Sequence, residues 1–234
     1  MIPTRKTAVV AGVFFIAAAV FAIVGLALYH DVLNDPAYVV RSSAADTMVM
    51  LGALNEIIVV ASVIGTAVTL FPVVRRQSEG IALGYVAGRT VEGVVIAVGI
   101  MSLLTVVSLR QGHSAGDAAS FVTTGKALVA LHNWTFLFGP NIALGPNTTM
   151  LAYLMYRSRL VPRVIPVIGL VGGPLIFLSG LGVLFGLYTQ TSAWGAVTAI
   201  PVFVWEMSLA LWMIIRGFNP SPILATGTRL APQT

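Results

Sequence analysis

Six long apolar runs divide the chain, at about 7–29, 47–73, 81–109, 127–156, 164–188 and 193–215. A helix rises about 1.5 Å per residue, so about 20 apolar residues cross a ~30 Å hydrocarbon core. Each run meets that length, which predicts an all-α, polytopic integral membrane protein: a bundle of six transmembrane helices. Composition agrees. Of 234 residues, 57% are hydrophobic and only 9% charged, and the mean hydropathy is +0.94; a soluble globule carries about 25% charged residues to cover its surface. Cysteine is absent, which removes disulfides, thiolate nucleophiles and thiolate-held metals from consideration.

The connections are short, the longest being about 17 residues, so residues 1–218 are expected to form a single membrane domain with no attached soluble unit. The segment 219–234 is proline-bearing and aperiodic, and reads as a flexible cytoplasmic tail. The first run follows Arg5 and Lys6 but is longer than a signal-peptide core and lacks a small-residue cleavage site, so it is read as a retained helix. Assigning connections alternately to the two sides places nine basic residues on one: Arg5, Lys6, Arg75, Arg76, Arg157, Arg159, Arg163, Arg216 and Arg229. The other side receives three, Arg41, Arg110 and Lys126. The positive-inside rule then puts both termini in the cytoplasm. The formal net charge of +5 is thus accounted for by topology; no basic cluster interleaved with aromatics exists, and nucleic acid is not an expected partner.

Several stretches mix charge, Pro and Gly at fixed places: "RKTAVVAGVFFIAA", "LNDPAYV", "LVPRVIPVIGLVGG" and "WEMSLALWMIIRGF". With these the chain resembles the bacterial multi-pass membrane proteins grouped as domain of unknown function 4386, over about Arg5 to Phe218. The resemblance implies a bacterial cytoplasmic membrane and a six-span fold, and implies no activity.

Function must therefore be read from polar residues at membrane depth, where an ionisable group costs about 2.5–3.5 kcal/mol. Five qualify: Glu56, Arg89, Glu92, His132 and Glu206. Glu56 lies about 14 Å into the second run, near the membrane centre. Arg89 and Glu92, three apart on one helix, are placed to pair. That leaves Glu56 and Glu206 needing another donor, a cation or a proton. Three carboxylates and a guanidinium from three helices are expected to face a polar interior, because unpaired burial would cost several kcal/mol each.

The fourth run adds "FGPNIALGPN", with Gly-Pro-Asn twice. Pro140 and Pro146 lack the backbone N–H that would bond the carbonyls of Phe136 and Ile142, so the fourth helix is expected to be kinked. The freed carbonyls must find side chains or water. Asn133, Pro140 and Asn147 recur every seven residues and are read as one stripe. The Asn-x-Thr triplets at Asn133 and Asn147 fall within a span and are discarded as glycosylation sites. "GYVAG" and "GVLFG" predict close helix packing at Gly84, Gly88, Gly182 and Gly186, within the chain or in a homo-oligomer.

Three functions fit. The first is a binding or transport protein whose midplane pocket, formed by Glu56, Arg89, Glu92, Asn141 and Glu206 with His132 nearby, takes a cation, proton or small polar or amphiphilic ligand. The second is an intramembrane enzyme acting on lipid, with Glu56, Glu92, Glu206 and His132 as acid and base or as metal ligands. Against it stand a single deep histidine and the lack of HExxH or a Ser nucleophile motif. The third is an accessory subunit whose polar residues meet a membrane partner. No cofactor is identifiable, and haem is disfavoured because only His132 lies well inside a run.

Overall fold

The computed structural model describes residues 5–41, 46–112 and 118–225, which contain helices and no strand. α1 (Arg5–Leu28) leads into a short α2 (His30–Asn34) and a 3-10 turn at Tyr38–Val40. α3 (Asp46–Val74) and α4 (Glu79–Gln111) follow. The next rod is helical from Ala118 to Ser158 in three parts: α5 (Ala118–Leu137), a π-helical turn (Phe138–Ala143) and α6 (Leu144–Ser158). Then come α7 (Val164–Leu184), α8 (Ala193–Ile215) and the one-turn α9 (Pro222–Ala225).

Five helices, α1, α3, α4, α7 and α8, are long and apolar enough to cross a membrane. The run expected at 127–156 differs because the proline-bearing segment winds as a π-helix and divides it. Within that turn the Leu144 N–H reaches back to the carbonyl of Gly139, five residues earlier, the bonding pattern that defines a π-turn.

Sequence neighbours are spatial neighbours. α1 packs on α3, α3 on α4, α4 on α5 and α6, α6 on α7, α7 on α8, and α8 returns to α1. The rods therefore close into a ring. The closing seam is tight, since a Cβ on Gly12 would lie 2.8 Å from the Ala210 carbonyl oxygen. The α6–α7 contact is tighter still: a Cβ on Gly173 would lie 2.7 Å from the Gly145 oxygen and 2.9 Å from the Thr149 nitrogen. The outer face carries exposed Val13, Ile23, Val68, Val94, Leu178 and Leu211, the surface that lipid would cover.

Two apolar cores sit at opposite ends of the ring. One gathers Phe15, Leu70, Tyr85, Met155, Trp205 and Leu209 near the chain ends; the other gathers Tyr29, Tyr38, Val49, Leu103 and Val107. At the first end Arg5 donates to the Ile215 carbonyl at 3.3 Å, which brings the start of α1 to the end of α8. Residues 219–225, expected to be loose, are held there: Asn219 N–H donates to the Leu160 carbonyl at 2.8 Å, and Ser221 Oγ to the Ser158 carbonyl. Residues 226–234, with Arg229, lie outside the described residues. At the other end Asp46 is clamped by Arg110, by Gln111 Nε2 at 3.2 Å and by Tyr38 Oη at 3.0 Å. Burial, and then the bond to Asp46, raise the Tyr38 phenol above its ordinary value.

The glycine pairs divide. Gly84 and Gly88 do face α6, next to Met150 and Asn147. Gly182 and Gly186 face no partner helix. Gly186 has φ +74, its N–H bonds the Val183 carbonyl at 2.9 Å, and Leu187 N–H bonds the Gly182 carbonyl at 2.9 Å. That is the Schellman pattern, so "GVLFG" ends α7 instead of packing it.

Candidate functional site

Arg89 sits at the ring axis. It is on the inner face of α4, only 3% exposed, between Tyr85 toward one apolar core and Leu103 toward the other. Glu92 lies one turn on, also buried. Arg89 Nη1 donates to both Glu92 oxygens at 3.1 and 3.2 Å, and Nη2 donates to Glu206 Oε1 on α8 at 2.9 Å. The planar guanidinium can bind two carboxylates at once because its donors form a fixed fork. Asn147 Nδ2, on α6, adds a bond to Glu92 Oε2 at 2.8 Å. Gly88 makes room for it, since a Cβ there would collide with Asn147 Oδ1. The Phe15 and Tyr85 rings flank the guanidinium, each 5.7 Å from its carbon, which adds cation–π attraction.

This assembly draws on α1, α4, α6 and α8. It places two carboxylates against one cation. Glu92 is saturated by Arg89 and Asn147, but the second oxygen of Glu206 bonds to no described residue, and the Glu206 side chain is 16% exposed. Arg89 Nε likewise has no partner among the described residues.

Glu56 and His132 are not part of this assembly. Glu56 accepts from Tyr29 Oη at 3.1 Å, and lines a cavity of about 50 Å³ together with His132, Thr135, Phe136, Pro140 and Gly99. His132 is 3% exposed; the Tyr29 ring meets it edge-on at 5.6 Å and Phe136 stacks on it at 6.4 Å. Asn141 belongs to neither group. It accepts from Gln190 Nε2 at 2.7 Å, and the same nitrogen donates to the Phe136 carbonyl at 2.9 Å. The carbonyl that Pro140 denies its usual partner is thus satisfied by a side chain from the α7–α8 connection. The expected single pocket is resolved into a central ion-pair site, a Glu56–His132 cavity and an amide clasp. Among the described residues no three of His, Cys, Asp and Glu come together as a metal site, so the four-ligand set of the enzyme reading is not assembled.

The stripe of Asn133, Pro140 and Asn147 is also broken. Asn133 is exposed while Asn147 is 1% exposed. The heptad argument assumes uninterrupted α-helical winding, and the wider π turn changes the phase between the two asparagines. Pro146, in the first turn of α6, lies on the exposed side. Asn147, Gln190 and Tyr29 complete the sites without having been expected there. The only advance signal was the second Gly-Pro-Asn, whose Asn falls where a helix restarts.

A cleft of about 1030 Å³ opens beside α2, lined by Ile23, Leu26, Trp134, Leu137, Tyr188 and Gln190 among others. Its lining contains no carboxylate, lysine or arginine. Phe136 lines both this cleft and the Glu56–His132 cavity.

Replacing Gln190 by leucine should strand the Phe136 carbonyl and the Asn141 amide. The expected loss is about 1–3 kcal/mol, read as a lowered unfolding midpoint, with faster amide exchange confined to the π turn and its flanks.

An apolar helical ring with five helices long and apolar enough to cross a membrane has the character of a membrane protein. Residues 10–217 match the family described as a domain of unknown function (DUF4386), and the chain belongs to that family. No curated protein and no solved structure matches it.

Proposed function

We propose that this chain is a membrane-embedded binding or transport protein whose axial site exchanges a proton or small cation. One observation carries the reading: Arg89 is shared by Glu92 and Glu206, and with all three groups ionised the site holds one negative charge beyond what its cation neutralises. In low dielectric that charge needs a proton or a cation. Glu206 is the exchanging group, because one of its oxygens is free of protein partners and its side chain is partly exposed. The cleft beside α2 favours a companion ligand with an apolar body and an uncharged, hydrogen-bonding head, since its lining mixes apolar surface with amides, hydroxyls and the His30 imidazole and carries no fixed charge of Asp, Glu, Lys or Arg.

The reading takes the α5–π–α6 rod as a sixth crossing. It places both chain ends, with Arg5, Arg75, Arg76, Arg157 and Arg216, in the cytoplasm of a bacterial cell. A lipid-processing enzyme gains no support from the separated carboxylates. An accessory subunit would present its charges outward, whereas Arg89 and Glu92 are sealed inside.

The test is thermal unfolding of the protein in nanodiscs over a range of pH and of sodium or potassium concentration. Wild type should gain several degrees with the bound species, as mass action requires. Glu206→Gln should keep the fold, lose the cation dependence and lose the part of the pH dependence that belongs to the axial site, because Gln can still accept from Arg89 while the remaining Arg89–Glu92 pair is neutral. A wild-type midpoint indifferent to protons and to both cations would refute the reading.

A further inference from the structure

The cavity between α3, α4 and α5 is a second site, built from different residues than the axial ion pair and argued independently of it. Its walls are Ala22 of α1, Glu56 and Val59 of α3, Ile96 and Gly99 of α4, His132, Thr135 and Phe136 of α5, and Pro140 of the π turn. Only Glu56 and His132 titrate among these. Tyr29, past the end of α1, is the other titratable group in contact, and it donates to Glu56 Oε2. The nearest charges on α4 are Glu92 and Arg89, which lie a turn or more before Ile96 and which bond each other. Thr135 is not available as a wall donor, because its hydroxyl donates to the His132 carbonyl at 2.8 Å.

Two features make this more than a packing gap. His132 is buried, and its fully enclosed Nδ1 has no hydrogen-bond partner among the described residues, although the Gly99 backbone contacts the ring. Glu56 keeps its second oxygen free of partners among the described residues, since Tyr29 bonds only Oε2. Gly99 preserves the space between: a Cβ there would lie 3.2 Å from His132 Nδ1 and would clash with Thr135 Oγ1. A buried imidazole and a half-buried carboxylate that line one small cavity with open valences have a simple common partner. About 50 Å³ is room for one or a few waters, since one needs roughly 10–15 Å³ on this measure.

We propose that this cavity is a proton-binding site in which Glu56 and His132 share one proton through bound water. The proton moves between the free Glu56 oxygen and an imidazole nitrogen; nothing else is consumed or released. Tyr29 orients the carboxylate by holding its other oxygen. Phe136 walls both this cavity and the large cleft and lies between the two.

The chain has three histidines, so a His30→Gln, His113→Gln background leaves His132 as the single ¹⁵N-histidine signal in nanodiscs. Its titration midpoint should fall by about one pH unit or more in Glu56→Gln, a tenfold loss of proton affinity, because the carboxylate that favours the imidazolium is gone. Glu206→Gln should leave that midpoint within a few tenths of a unit, which separates this site from the axial one. If Glu56→Gln does not fold, His132→Gln reads the same coupling from the other side: one carboxyl band in the infrared titration must move, since coupling is reciprocal. An unchanged His132 midpoint in Glu56→Gln, or an unchanged carboxyl titration in His132→Gln, overturns the proposal.

Discussion

Arg89→Leu is expected to destabilise the protein by about 3–5 kcal/mol, the loss seen when one partner of a buried ion pair is removed. The guanidinium makes three bonds to two carboxylates. Without it Glu92, 4% exposed, keeps only the Asn147 amide, and Glu206 keeps nothing. Arg89→Lys should recover part of the loss, since an ammonium restores the charge but lacks the fork that reaches both carboxylates. The sharper expectation concerns the triple variant Arg89→Leu, Glu92→Gln, Glu206→Gln. With no stranded charge it should unfold at a higher temperature than Arg89→Leu alone, although it carries two more substitutions. Unfolding midpoints in nanodiscs check both statements; an Arg89→Leu protein as stable as wild type would show that these groups are not buried together.

Gly173→Leu is expected to be the most damaging substitution on the helix seams. Overpacking typically costs about 1–3 kcal/mol when neighbouring side chains can move. Here the obstacles are backbone atoms, the Gly145 oxygen and the Thr149 nitrogen, so α6 and α7 must separate, and the loss should reach or exceed the top of that range. Gly186→Ala is the contrast. Nothing lies within 4 Å of a Cβ at that position, and its cost is the left-handed backbone alone, about 1–2 kcal/mol. If the two variants unfold together, the α6–α7 contact is not the close approach described here.

Much of this architecture is legible in sequence because a membrane allows few solutions. Apolar length announces α1, α3, α4, α7 and α8, and desolvation cost alone requires Arg89, Glu92 and Glu206 to meet. What resists reading is the phase around Pro140. A heptad count places Asn133 and Asn147 on one face, but the π turn shifts one relative to the other, and Asn147 alone reaches the ion pair. The role of Gln190 is hidden for a related reason. It sits in a connection, where no periodicity points it toward the Phe136 carbonyl. The separation of Glu56 from Glu92 is likewise invisible to a depth argument, since depth fixes height along the ring and not which pair of helices a side chain points between. The connection before α3 holds α2 and a 3-10 turn tied to Asp46 by Tyr38 and Arg110; that clamp joins residues 8 and 64 positions apart from the aspartate.

The claim on which the functional reading depends is that Glu206 presents an oxygen to an exchangeable species and not to lipid. An experimental map of the protein in nanodiscs, fine enough to show ordered water and ions, tests it most directly. The account predicts ordered non-protein density within hydrogen-bonding or coordinating distance of the Glu206 oxygen that Arg89 does not hold, and its weakening or loss in Glu206→Gln. Acyl-chain density packed against that oxygen, or a wild-type site with no density beside it, would contradict the account and leave the Arg89 assembly a purely structural ion pair.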